Sequence, residues 1–247
     1  MEKDLANRVE QFRKVVATSG EDIVFRRFPN KLHQFIQSTL NPDSPFHISH
    51  AEKSTDVTIY LPPSLSSEGV SQVKKRKLDN GTSHDIDPLH RTIEHETPRT
   101  SSRIVANKHM TLNVHNIVKK ESEQLASMVD EVKLWVTLTM PNGDNFGVQI
   151  QEEVLAELHR AQESAFNLRD AARQDYLTRA KICSKIAKYP NVEDYALSLK
   201  EHDEKQLYLA RQHLLDIRNL YAVLTDLIHK NITKIRAPKA NNSVGLY

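Results

Sequence analysis

Apolar residues recur every three to four positions along most of the chain, which predicts long amphipathic helices rather than strands. Leu5, Val9, Phe12 and Val16 set a first stripe, and Ile23, Phe28, Leu32, Phe35 and Leu40 continue it with a slip, giving a helix over residues 4–40. Gly20 is expected to weaken this helix, and Pro29 to kink it or end its first half near Arg27. A second helix, 104–140, carries Val114, Ile117, Leu125, Met128, Val132, Trp135 and Leu138. A third, 148–188, carries Ile150, Val154, Leu158, Ala161, Ala165, Leu168, Ala172, Tyr176 and Ile186. The fourth has the cleanest stripe: Leu199, Leu207, Ala210, Leu214, Ile217, Tyr221, Leu224, Ile228 and Ile235, interrupted by Asp203. Asn191 is placed to cap its start, Glu193 and Asp194 suit the positive end of its dipole, and Pro238 ends it.

Two interruptions organise these helices. Met140 to Gln151 holds Pro141, Gly143 and Gly147 between two helical patterns, and reads as the tip of a helical hairpin. Asn41 to Arg103 holds six of the ten prolines and little periodicity, so it reads as a flexible insert. The chain thus divides into 1–40 (first helix), 41–103 (insert), 104–237 (remaining helices) and 238–247 (tail). None of the four helices is apolar all round, so the expected fold is all-α, an elongated antiparallel four-helix bundle. Connectivity then places the 141–147 loop and the tail at one pole, with the insert and the Tyr189-Pro190 turn at the other.

Composition narrows the function. A net charge of +2 demands no nucleic acid, and no apolar run reaches the length of ~20 residues that a membrane span needs. The single cysteine, Cys183, excludes an internal disulfide framework and suits a reducing compartment. Met1 to Leu5 offers no apolar signal core, so the cytosol or nucleus is expected. Lys74, Lys75, Arg76 and Lys77 form a basic run suited to the acidic groove of an import receptor; the plainer reading is a solvated charge run. Twelve histidines invite a metal hypothesis, but no His-Glu-x-x-His occurs. Asp226 and His229 stand three apart, like half of a di-iron motif, without a second copy. Cys183 has no CxxC partner. With no phosphate-cradling glycine loop and no nucleophile elbow, the sequence offers no active site, and neither cofactor nor metal is expected.

Two stretches are more specific than generic helix. Gly143-Asp-Asn-Phe-Gly-Val-Gln-Ile-Gln-Glu-Glu-Val154 and Thr178-Arg-Ala-Lys-Ile-Cys-Ser-Lys-Ile-Ala-Lys-Tyr-Pro-Asn-Val-Glu-Asp-Tyr195 closely resemble the REG proteasome activators, or 11S regulators. The gamma, nuclear type is the nearest match, through the basic run ending Leu78-Asp79, Lys133-Leu-Trp-Val136, Asp203-Glu-Lys205 and the final Leu246-Tyr247. The likeness is strong over residues 130–247, weaker in the first helix and confined to the basic run within the insert.

The resemblance implies a non-enzymatic ring of seven four-helix subunits that caps the 20S proteasome. In that family C-terminal tails dock between the alpha subunits, and the loop after the second helix opens the gate without ATP. Peptides and small or disordered proteins are then degraded without ubiquitin. Here the implied activation loop is Pro141, Asn142, Gly143, Asp144, Asn145, Phe146 and Gly147, and the docking tail ends Val244, Gly245, Leu246, Tyr247. Lys181 matches a family lysine at which substitution changes which proteasome activities are stimulated. The implied location is the nucleus, with the cytoplasm second. The family loop reads Arg-Ile-Glu-Asp-Gly-Asn-Asn-Phe-Gly; this chain is three residues shorter and has Asp144 in place of the first Asn. Two other readings stand beside this one: a helical scaffold that oligomerises without activating a protease, and a bundle enzyme using Asp226 and His229 with a metal.

Overall fold

The computed structural model describes residues 2–51, 104, 106–141 and 148–237. Within them the chain is all-helical, and α1 (Glu2–Asp22), α2 (Phe28–Leu40), α3 (His115–Leu138), α4 (Gln149–Lys188) and α5 (Glu193–Arg236) build an antiparallel four-helix bundle. α1 and α2 act as one helix, joined without a break by a π-helical segment, Ile23–Arg27. Side-chain pairs fix the directions. Ser19 meets Glu131 and Lys31 meets Glu121 across α1/α2 and α3, while Gln162 meets Lys133 and Arg169 meets Glu123 across α3 and α4. At 1.5 Å per residue α4 runs about 60 Å, as its stripe predicts.

Pro29 neither kinks nor ends the first helix, against expectation. A proline lacks an N–H and crowds the carbonyl four residues back, here that of Phe25. The widened π turn absorbs this: the Phe28 N–H bonds the Ile23 carbonyl, five residues back, and the helix runs on. The slip in the apolar stripe falls at the same place. Gly20 also has a different role from the expected weak point. A β-carbon there would lie 2.7 Å from Trp135 Cβ and 2.8 Å from its Cγ, so glycine is what lets the buried indole lie against α1.

The core follows the inward stripes. Val24, Phe28, Phe35, Leu125, Val132, Trp135, Val154, Leu158, Leu214, Tyr221, Leu224 and Ile228 belong to one continuous cluster. Tyr221 sits at its aromatic centre, 5.1 Å from the Phe28 ring and 6.1 Å from that of Phe35. Every apolar position proposed for the fourth helix is buried.

Other expectations need correction. Leu5 (62% exposed), Val9 and Phe12 stand in solvent, because the first turns of α1 pass beyond the end of α3 and meet no other element among the described residues; Leu40, the last residue of α2, is exposed as well. Ile117 and Tyr176 are partly exposed, while Val118 and Asp175 face inward in their place. The second helix starts later than residue 104, through a second π segment, His109–Val114. Asn191 does not cap α5, whose N-cap is Val192 with no side-chain cap bond.

Residues 41–51 turn back onto the bundle. Phe46 is buried, its carbonyl accepts a hydrogen bond from Arg211 Nη1 at 2.5 Å, and the Pro45 carbonyl accepts one from His109 Nε2 at 2.9 Å. At the far side of the insert Ile104 packs on a small separate cluster built on Ile186 and Leu199. The far end of the insert therefore lies toward the Tyr189-Pro190 turn, while its near end folds back onto the main core through Phe46.

Candidate functional site

Three chain ends converge at the other pole. α3 closes with Thr139, whose hydroxyl donates to the Val136 carbonyl at 2.7 Å, and the chain then reaches Pro141. It re-enters at buried Val148, whose carbonyl accepts the Glu152 N–H as the first turn of α4. Gln151 is fully buried there, and its side-chain amide donates to the Lys234 carbonyl near the end of α5 at 2.7 Å. That bond satisfies one of the carbonyls a helix end leaves open, and ties the root of the loop to the root of the tail. Arg236 completes the tie. Its guanidinium makes two hydrogen bonds to Glu21, at 2.8 and 2.9 Å, and lies 5.7 Å from the centre of the Phe25 ring.

Of the residues singled out in the sequence, Pro141 lies on the rim of this pole. Asn142 to Gly147, the tail residues Val244 to Tyr247 and the basic run Lys74 to Lys77 lie outside the described residues. Lys181 is exposed and belongs to the other half of the molecule, about 45 Å along α4 from Gln151. It shares no surface with the loop root.

The opposite half holds a buried polar layer that sequence reasoning missed. His115 Nε2 donates to Asp175 Oδ2 at 2.6 Å and His202 Nε2 donates to Asp175 Oδ1 at 2.7 Å, so one carboxylate joins α3, α4 and α5. One turn on, Arg179 Nε donates to Asp203 Oδ1 at 3.0 Å. Burial by itself pushes the Asp175 carboxyl up, but the two imidazole hydrogen bonds and the attraction of the rings outweigh it and hold it at about 2. At Asp203 burial wins, and its carboxyl is pushed up despite Arg179. The only sequence signal was Asp203 breaking an apolar stripe; its partners lie on other stretches of chain, so no local pattern announces them.

Among the described residues no group of three or more His, Cys, Asp or Glu side chains is placed to hold a metal ion. Asp226 pairs with Lys230 at 2.6 Å, and His229 sets its ring edge-on to Phe25 at 6.2 Å, so the metal-enzyme reading loses its ligand pair. Cys183 is half-buried, and burial pushes its thiol up, away from the reactive thiolate. What the molecule presents is a braced pole from which a loop and a tail emerge.

Comparison with known proteins identifies the family. A family model described as "Proteasome activator PA28, C-terminal" matches residues 103–245. Human proteasome activator complex subunit 3 is 32% identical over 262 aligned residues, covering 100% of this chain and 98% of its own. The chicken protein of the same name is 33% identical, with 97% and 95% covered. Proteasome activator 28 of Dictyostelium discoideum is 28% identical, with 70% and 73% covered. Among solved structures, the 11S subunit of the Plasmodium falciparum proteasome, PA28, superposes with a TM-score of 0.71 at 27% identity, covering 96% of this chain and 95% of that one.

Proposed function

The chain belongs to the PA28 family of proteasome activators, and from that premise we propose that copies of it form a heptameric ring that caps the 20S proteasome and opens its gate. The carrying observation is the convergence of the loop root and the tail root on one braced pole, tied by the Gln151 to Lys234 bond. A tail that binds and a loop that presses must face the same surface, and here they leave from the same end. The exposed stripe Leu5, Val9 and Phe12 leaves that pole too and supplies apolar surface for a neighbouring copy. The chain works by regulation rather than by chemistry of its own.

The two elements divide the work. Lys239 to Tyr247 spans at most about 30 Å when extended, enough to enter a pocket between alpha subunits while the bundle stays upright. One tail ending in Leu246, Tyr247 and a carboxylate is a small contact, and several tails on one ring gain affinity by avidity. Pro141 to Gly147 contributes shape. Deleting Leu246 and Tyr247 is expected to abolish capping, seen by co-sedimentation with purified 20S proteasome, while the ring stays assembled. Asp144→Ala or Asn145→Ala is expected to leave capping nearly intact and lower hydrolysis of a fluorogenic peptide. Normal stimulation by the truncated chain, or equal loss of capping and hydrolysis in the loop variants, would overturn these roles. Lys181, far from the loop, bears on which activities are stimulated from the substrate-entry side. Lys74 to Lys77 directs the protein to the nucleus through an import receptor; changing all four to Ala is expected to leave it cytoplasmic.

A further inference from the structure

Lys181, Lys185 and Lys188 stand at i, i+4 and i+7, which puts three exposed ammonium groups on one face of the last two turns of α4. Among the described residues none of the three has a carboxylate within ion-pair distance, although Glu193 and Asp194 open the facing helix. Their placement is not loose. Lys188 Nζ lies 5.1 Å and Lys185 Nζ 5.8 Å from the centre of the Tyr189 ring, which stacks on Tyr195 at 6.0 Å. The aromatic pair holds two of the cations at the tip of the α4–α5 hairpin.

The chain's own insert supplies the complementary charge at the right place. Ile104, where the insert rejoins the bundle, packs on the cluster that includes Ile186, on the inward face of the same two turns of α4 whose outer face carries the lysines. Upstream, Asp85, Asp87, Glu94 and Glu96 are set against Arg91 within the stretch, and Arg99 and Arg103 stand on the tether that follows it. Glu96 is eight residues from Ile104, a tether of at most about 30 Å, and the stripe itself is only about 10 Å long. We propose that the acidic stretch Asp85–Glu96 docks on Lys181, Lys185 and Lys188 of the same chain. Docked there, it screens these cations from acidic segments of incoming polypeptides, so that the tip favours substrates of other charge. The contact needs no proteasome, and its test stands apart from the activator assay.

The full chain is treated with a carbodiimide, which joins amines to carboxylates in contact, and the links are mapped by mass spectrometry. Links from Lys181, Lys185 or Lys188 to Asp85, Asp87, Glu94 or Glu96 are expected at low ionic strength, falling about fivefold or more in 1 M salt as the screening length shrinks from about 30 to about 3 Å. In a second measurement, the combined D85N, D87N, E94Q and E96Q variant is expected to acetylate these three lysines about threefold faster at low salt, with Lys230 unchanged as the reference. Absent or salt-independent links, links found only between differently labelled chains, or equal acetylation rates would overturn the proposal.

Discussion

Around Tyr221, α1/α2, α3, α4 and α5 turn apolar and aromatic side chains inward, and the cluster runs unbroken from Val16 to Ile235. Around Asp175, α3, α4 and α5 turn five ionisable side chains inward, and beyond them, among the described residues, only the small cluster on Ile186 and Leu199 remains. The first region tolerates no gap, and its energy is that of filled space. The second is directional: each buried charge depends on a named partner, and burial costs each of them its water. The loop and tail are rooted in the filled region, as is the near end of the insert through Phe46; the lysine stripe and the far end of the insert, at Ile104, are rooted beyond the polar one.

The largest effect should come from unpairing the layer. Arg179→Ala leaves Asp203 buried and uncompensated, an expected loss of about 3–5 kcal/mol by denaturant unfolding. Replacing both members, Arg179→Met with Asp203→Leu, should recover most of it. If the double variant is as unstable as the single one, the layer is held by packing and the contrast fails. Acid tests the same layer through Asp175. Its folded value of about 2 lies below the usual 3.8, so its contribution is present above about pH 4 and is lost as pH falls through 2. That contribution is about 2 kcal/mol, and Asp175→Asn should flatten the corresponding part of the stability profile.

In the filled region, Gly20→Ala should cost about 1–3 kcal/mol by forcing Trp135 aside, and the indole fluorescence should report the shift. Tyr221→Phe should be nearly silent, within about 1 kcal/mol, because the buried hydroxyl has no hydrogen-bond partner among the described residues. A large loss there would show a directional contact at the centre of the apolar region and blur the comparison.

The same division explains what was legible in the sequence. The α5 stripe could be read to its last residue, since burial of one helix face follows from spacing alone. Gly20 could not be understood locally, because its reason is an indole on another helix. The polar layer was harder still: His115 and Asp175 are sixty positions apart, and Asp175 displaced Tyr176 from the inward position that periodicity assigned it. The family was legible through the two specific stretches, and the common pole of the loop and tail roots through connectivity. Leu5, Val9 and Phe12 misled for a physical reason, since an apolar stripe says that something covers it but not that the cover lies in the same chain.

The widened turn at Ile23–Arg27 amounts to one residue added to an otherwise regular helix. One residue turns an α-helix by about 100°, so the addition works as a phase shifter. Below it Phe28 and Phe35 keep their bearing on Tyr221; above it Gly20 is set facing Trp135, and Leu5, Val9 and Phe12 leave the bundle along a bearing fixed by the same offset. Deleting a single residue there would leave the lower contacts in place, carry Gly20 away from the indole and swing the free apolar edge to a new compass point. The reach of this helix and the direction in which its edge points are thus encoded separately, one by the number of turns and the other by a single added residue.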